Sequence, residues 1–234
     1  MAAVISTVVF DADETLVDLR PAIVGALEAV LAEMRRLNPA AAALSVADLD
    51  ADWAVEHARR PAEPVTVIRR AGLARSLARV GLEPELDRLT ELFFAHRFAA
   101  SRPYPQVAAV LARLRRAYRL GFATNGNSHA RRVGLGGEFA FEVYAHEDGV
   151  PKKPAAGFFA AVVAAAGCDP ESIVHIGDNW AHDVVAPAAC GLRTVWLNPA
   201  GAPRPDGGGG HPDAEIRALT DLPDALGHLS GQPA

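Results

Sequence analysis

The chain has 234 residues, of which 50% are hydrophobic and 22% are charged, and its formal net charge is −5 at pH 7. This length and composition favour one globular core, alone or with a smaller inserted domain, and the negative charge argues against a surface that binds nucleic acid. No apolar stretch reaches the ~18 residues of a membrane helix and the first residues lack the pattern of a signal peptide, so we expect a cytoplasmic protein with no membrane partner.

The first predicted element is a strand over residues 5–10, an apolar run that ends directly before Asp11 and Asp13. Acidic side chains are seldom buried without a partner, so two of them after a buried strand need a chemical reason. We expect both acids at the carboxyl end of this strand, where the chain leaves the sheet.

Residues 18–97 are predicted to be helical throughout. Apolar residues recur at helical spacing over residues 23–37, and Ser45 with Asp48 has the form of a capping box for a second helix. Pro61 and Pro64 end this second helix, a third helix runs to Gly81, and a fourth begins after Pro84. This block therefore predicts an all-helical domain inserted after the first strand.

Beyond residue 98 the pattern changes to helices that alternate with short apolar strands. The predicted strands cover residues 120–123, residues 173–176, residues 194–197 and a short segment near Ile216. This alternation is typical of a parallel sheet with helices on both faces. The fold class is therefore α/β, a Rossmann-like doubly wound parallel sheet formed by residues 1–17 and 98–234. Residues 199–212, rich in Gly and Pro, are predicted to be a surface loop.

Three of the predicted strands end in polar or acidic residues. These residues are Asp11 and Asp13, Thr124 and Asn125, and Asp178 with Asp183. The carboxyl ends of neighbouring parallel strands lie side by side, so the acids would repel one another unless a cation or a proton lay between them. Mg²⁺ suits this place because it binds a few carboxylates and keeps coordination positions for water and a phosphate oxygen.

Four short motifs follow one another along the chain. They are Asp11-x-Asp13-x-Thr15, Thr124-Asn125-Gly126, Lys153-Pro154, and Gly177-Asp178 with Asp183. With these motifs in this order, over nearly its whole length, the chain resembles the haloacid dehalogenase superfamily, in its phosphatase branch with a helical cap. The resemblance implies that residues 18–97 are the cap domain, which closes over the site, excludes water and selects the substrate.

The resemblance also implies the catalytic roles. Asp11 would attack phosphorus to form an aspartyl phosphate, and Asp13 would protonate the leaving oxygen and then activate the water that hydrolyses the intermediate. A lysine would neutralise the phosphoryl charge. Spacing from the preceding glycine favours Lys152 for this role, whereas the proline that follows favours Lys153, and we choose Lys153.

The resemblance assigns the remaining motif residues to phosphate and metal. The phosphoryl group would be bound by Thr124, Asn125, Gly126 and Lys153, of which Thr124 and Lys153 also count as catalytic. Mg²⁺ would be held by Asp11, Asp178 and the backbone carbonyl of Asp13, while Asp183 would orient the metal's ligands.

We therefore expect a Mg²⁺-dependent phosphatase that acts on a small phosphomonoester. The form of residues 11–15 and of residues 196–198 resembles nucleotidases such as pyrimidine nucleotidases, and sugar phosphates and phosphoglycolate are close alternatives as substrates. A phosphomutase is the main alternative activity, because the same residues could pass the phosphoryl group to a sugar. Asp13 argues against a haloacid dehalogenase, since a halide needs no proton to leave, and the complete set of motif residues argues against a binding protein without turnover. A monomer and a homodimer both remain open.

Overall fold

A computed structural model describes residues 4–205 and 209–230 of the chain. The chain divides into two compact units, Met1–Val17 with Pro103–Ala234 and, inserted between them, Asp18–Arg102. We call them the core unit and the helical unit. The second boundary lies at residue 102 rather than at the predicted residue 97, because the last helix of the insertion continues to Ala100.

The helical unit contains four α-helices. They are α1, Leu19–Leu37; α2, Val46–Arg59; α3, Val65–Ala78; and α4, Leu86–Ala100. Short 3₁₀ turns, Pro39–Ala43 and Glu83–Glu85, lie between α1 and α2 and before α4. The predicted capping box starts α2: the Ser45 hydroxyl accepts from the Asp48 N–H at 3.2 Å, and the Asp48 carboxylate accepts from the Ser45 N–H at 2.8 Å.

The core unit is built on one six-stranded parallel sheet. Its strands are β1, Thr7–Phe10; β2, Arg119–Thr124; β3, Phe141–Tyr144; β4, Ile173–Gly177; β5, Arg193–Leu197; and β6, Ala214–Ile216. They lie in the order β3-β2-β1-β4-β5-β6, and all five pairings are parallel. This order confirms the predicted doubly wound sheet, in which ligands bind where the strand order reverses, between β1 and β4.

Helices cover both faces of this sheet. One apolar cluster joins one side of β1 and β4 to helices α5, Val107–Leu114, and α8, Leu222–Leu229. The other cluster joins the opposite side to helices α6, Ala156–Ala166, and α7, Ala186–Ala189. Alternate residues of β1 divide between the two clusters, so the strand is buried on both sides.

The remaining elements are short. The 3₁₀ turns of the core unit are Ala130–Val133, Pro170–Ser172 and Leu219–Asp221. A π-helical turn, Trp180–Val185, leads directly into α7. Two-residue strands, Val17–Asp18 and Arg102–Pro103, pair where the chain passes from one unit to the other.

The sequence prediction and the described structure do not fully overlap in two segments of the core unit, strand β3 and the loop over residues 199–212. Strand β3 was not predicted; Glu142 and Tyr144 interrupt its apolar character because it is an edge strand, in which Val143 is buried and Glu142 is exposed. The predicted loop over residues 199–212 contains residues 206–208, which lie outside the described residues. Within the described ranges, no helix combines the length and apolar character needed to cross a membrane.

Candidate active site

The ends of three neighbouring strands converge on one small cavity of the core unit. Asp11 follows β1, Thr124 ends β2 and Asp178 follows β4, and β1 pairs with both of the other strands. The cavity has a volume of about 180 Å³, smaller than the roughly 300–1,000 Å³ of a typical small-molecule pocket. It is lined by Asp11, Asp13, Thr124, Asn125, Gly126, Lys153, Asp178, Asn179, His182 and Asp183. All eight residues named from the sequence are therefore together in one place.

Lys153 supplies the positive charge of this cavity. Its side chain is 1% exposed, and its Nζ lies 2.6 Å from Asp11 Oδ1 and 2.7 Å from Asp183 Oδ1. The Asn125 side chain fixes the backbone of this lysine: its Oδ1 accepts from the Lys153 N–H at 2.6 Å, and its Nδ2 donates to the Lys153 carbonyl at 2.9 Å. The half-buried Lys152 is absent from the cavity's lining among the described residues. Of the two adjacent lysines, the geometry therefore favours Lys153.

The ion pairs of Lys153 determine its charge and that of Asp183. Burial opposes a charge on Lys153, but the carboxylates of Asp11 and Asp183 outweigh it and raise the pKa of this lysine. Burial likewise opposes a charge on Asp183, yet the Lys153 ammonium and the bond from His175 hold the pKa of Asp183 below its usual range. Lys153 and Asp183 are therefore an ion pair at neutral pH.

Asp11 and Asp178 are two further carboxylates of the cavity. The single positive charge of Lys153 is shared with Asp183 and does not neutralise both of them. Burial, reinforced by Asp183 and Asp13, raises the pKa of Asp11 well above its ordinary value despite the opposing effect of Lys153. Burial and then the Asp183 charge raise the pKa of Asp178 to about 6. Excess negative charge in a buried place favours a bound cation.

The positions of the acids fit a hard divalent cation. Asp11, Asp178 and Asp183 each offer an oxygen, and these oxygens lie within 4.8 Å of one another. Oxygen ligands from a few carboxylates are typical of Mg²⁺. Of the three, Asp183 is already engaged through both oxygens, by Lys153 and His175 on Oδ1 and by the Asn179 N–H on Oδ2. Asp183 is thus better placed to orient the site than to bind the metal directly.

Asp13 and the turn after β2 fit closely against each other. The Asp13 Oδ1 accepts a hydrogen bond from the Ser128 hydroxyl at 2.5 Å. A Cβ at Gly126 would lie 2.2 Å from Asp13 Oδ2, so a larger residue at this position would displace the Asp13 carboxylate. Thr124 Oγ1 accepts from the Gly126 N–H at 2.9 Å, which shapes the turn and leaves the threonine hydroxyl a proton to donate.

His175 is a site residue that sequence reasoning missed. It lies in the middle of β4, is fully buried, and its Nε2 lies 2.9 Å from Asp183 Oδ1. Burial lowers the pKa of His175, so the neutral ring donates its Nε2 proton to the carboxylate. A histidine inside an otherwise apolar strand, three residues before Asp178, was the available signal. Ser128, Asn179 and His182 were also missed.

Comparison with known proteins agrees with this geometry. The family model of haloacid dehalogenase-like hydrolases matches residues 5–191. The 5-amino-6-(5-phospho-D-ribitylamino)uracil phosphatase YigB of Escherichia coli strain K12 is 28% identical over 204 residues, 83% of this chain and 84% of that protein. The phosphoserine phosphatase of Thermus thermophilus is 31% identical over 154 residues, 63% of this chain and 60% of that protein. A solved 2-haloacid dehalogenase of Pseudomonas syringae pv. Tomato DC3000 is 32% identical, with a TM-score of 0.77 over 96% of this chain and 99% of the other.

Proposed function

Since the chain belongs to the haloacid dehalogenase-like hydrolase family, we propose that it is a Mg²⁺-dependent phosphatase that hydrolyses small phosphomonoesters through an aspartyl phosphate. The relatives include both phosphatases and a dehalogenase, so the choice between these reactions must come from the residues of the site.

The observation that supports a phosphatase is the second acid, Asp13, which lines the same cavity as Asp11 and Lys153. An alkoxide that leaves phosphorus needs a proton, and a carboxyl group beside the nucleophile can supply one. A halide leaves as a stable anion and needs none. An acid at this position therefore favours phosphomonoester hydrolysis over dehalogenation.

The proposed reaction has two displacements. In the first, a carboxylate oxygen of Asp11 forms a bond to phosphorus while the ester P–O bond breaks, and Asp13 gives its proton to the leaving oxygen. In the second, Asp13 takes a proton from water as the water oxygen attacks phosphorus, and the P–O bond to Asp11 breaks. Inorganic phosphate and the free carboxylate of Asp11 result.

The remaining residues hold the phosphoryl group. The Lys153 ammonium, 2.6 Å from Asp11, offsets the negative charge that would otherwise repel the nucleophile from phosphate. The Thr124 hydroxyl donates to a phosphoryl oxygen, assisted by the backbone N–H of Asn125. Mg²⁺, held by Asp11, Asp178 and the backbone carbonyl of Asp13, would supply further neutralisation of that charge.

We propose a nucleoside monophosphate as the preferred substrate, with sugar phosphates and phosphoglycolate next. One relative is named for a phosphate ester that carries a ribityl group and a uracil. The helical unit occupies the place in the chain where the family carries its cap, and we assign the choice of substrate to it.

The test is phosphate release from a panel of nucleoside monophosphates, sugar phosphates and phosphoglycolate, with Mg²⁺ and after its removal by EDTA. We expect turnover that requires Mg²⁺ and that is abolished by Asp11→Asn. The matched control is Asp224→Asn, which changes an exposed acid of the same unit and should leave the rate unchanged.

Three outcomes would contradict the proposal. Chloride release from 2-chloropropionate without phosphatase activity would identify a dehalogenase. Conversion of a sugar phosphate into its isomer, with no phosphate in solution, would identify a phosphomutase. Turnover that survives thorough chelation would remove Mg²⁺ from the mechanism.

A further inference from the structure

Arg69, in helix α3 of the helical unit, is a buried cation. Only 5% of its surface is exposed, whereas the next residue, Arg70, is exposed and pairs with Asp87 at 2.6 Å. The Arg69 guanidinium contacts two aromatic rings, with its Cζ 4.9 Å from the Trp53 centroid and 4.6 Å from the Phe93 centroid. Arginine is seldom buried without an anionic partner, so this placement needs an explanation.

The aromatic rings attract the charge of the guanidinium but offer its N–H donors no oxygen acceptor. The Nη1 atom is fully buried and has no hydrogen-bond partner within residues 4–205 and 209–230. A buried donor without a hydrogen-bond partner raises the free energy of the folded protein. The Arg69 guanidinium is therefore suited to receive an acceptor from a ligand.

The local charge also favours an anion. The acid that acts on Arg69 is Asp50, which already pairs with Arg20 at 2.8 Å. Arg97 adds a second buried positive charge, 4% exposed, within electrostatic range. Burial, followed by the repulsion from Arg20 and Arg97, lowers the pKa of Arg69 to about 10, so the group is still charged at neutral pH.

We propose that Arg69, in contact with Trp53 and Phe93, is a binding site for a carboxylate or phosphate group in the helical unit. The fork of N–H donors matches two oxygens of such a group. The ligand is a free anion of this chemistry, and inorganic sulfate serves as its probe. The proposal is independent of the phosphatase reaction, because binding here requires no turnover.

The first experiment is a titration of the full-length, ¹⁵N-labelled protein with sodium sulfate at constant ionic strength. Arginine Nε–Hε signals are followed by NMR, and the Arg69 signal is identified by its absence from Arg69→Lys. We expect this signal to shift and saturate, while the Arg70 signal stays unchanged because the ionic strength is constant. An Arg69 signal that does not respond to sulfate overturns the proposal, and this readout on the unmodified protein does not depend on any variant's folding.

The second experiment compares two neighbouring variants, Arg69→Met and Arg70→Met. Sulfate should raise the thermal unfolding temperature of the unmodified protein and of Arg70→Met by the same amount, and that of Arg69→Met by less. Sulfate bound at the active site contributes equally to all three proteins, so the smaller rise in Arg69→Met measures binding at Arg69. An identical rise in all three proteins would show that Arg69 binds no anion.

Discussion

Lys152 and Lys153 are adjacent in the sequence but have different surroundings. Lys153 is buried between Asp11 and Asp183, and Lys152 is half-buried and does not line the cavity that Lys153 lines. Removal of the Lys153 ammonium leaves two buried carboxylates without their counter-charge and the phosphoryl group without its cation.

We therefore expect Lys153→Ala to lower kcat/KM by about 10²-fold or more, and Lys152→Ala to change it only a few-fold. Phosphate release at low substrate concentration measures both values, and circular dichroism checks that each variant is folded. A larger loss from Lys152→Ala would transfer the catalytic role to Lys152.

Asp13 has two proposed roles: it protonates the leaving oxygen and it activates the attacking water. Substrates with different leaving groups distinguish these roles. With an alkyl phosphate, Asp13→Asn should reduce the rate by roughly 10²–10⁴-fold, because the leaving alkoxide is strongly basic. With p-nitrophenyl phosphate, the leaving group departs readily without an acid, so the first displacement should be much less affected. The second displacement still lacks its base.

The prediction for Asp13→Asn is thus a rapid burst of one p-nitrophenol per active site, followed by slow turnover. Stopped-flow absorbance measures the burst, and Asp11→Asn, which lacks the nucleophile, is the control that should show none. Equal losses on alkyl and aryl esters, with no burst, would mean that Asp13 acts on a step other than leaving-group protonation.

At the carboxyl end of β4, the absence of a side chain at Gly177 leaves the space that Asp183 occupies. A Cβ at Gly177 would lie 2.3 Å from Asp183 Cγ, and Asp183 cannot retreat without breaking its bonds to Lys153 and His175. Gly177→Ala should therefore displace a residue that orients the site, and we expect metal affinity or activity to fall by roughly 10–100-fold.

The matched control is Gly227→Ala in α8, where a new Cβ would meet nothing within 4 Å. This change should leave activity intact and stabilise the helix slightly. Titration with Mg²⁺, followed through the rate of phosphate release, measures both variants. An unchanged Mg²⁺ response in Gly177→Ala would show that Asp183 can shift without consequence for the site.

The same element shows what the sequence could and could not reveal. Asp178 was predictable because a charged residue directly after an apolar strand is conspicuous, and parallel strands bring such ends together. His175 was not, because it lies within the strand and its partner Asp183 is eight residues away on a π-helical turn. The edge strand β3 was missed for a related reason: a half-exposed strand lacks the continuous apolar run by which the central strands were recognised.

At the scale of the whole molecule, the acids of the site link folding to pH. The ordinary pKa of an aspartate is 3.8, and that of Asp178 in the folded protein is about 6. Between these values the folded state binds the proton more tightly than the unfolded state. Stability of the metal-free protein therefore falls as pH rises from about 4 to about 6, and the loss is complete above that range. Asp11 acts with the same sign, while Asp183, whose pKa is lowered, matters only as pH falls below 3.8.

Between pH 5 and pH 7.5 the loss attributable to Asp178 should be on the order of 1–2 kcal/mol in the free energy of unfolding, and Asp178→Asn should remove it. Urea unfolding in EDTA at pH 5 and pH 7.5 measures the difference between the two proteins. Both proteins carry Trp53→Phe, so that the fluorescence comes from Trp180 and Trp196, which pack against each other in the core unit.

At pH 7.5, Mg²⁺ should raise the stability of the protein that retains Asp178 more than that of Asp178→Asn, because a ligand that binds only the folded state stabilises it. If the two proteins keep a constant difference across this pH range and respond equally to Mg²⁺, Asp178 is neither the titrating group nor a metal ligand.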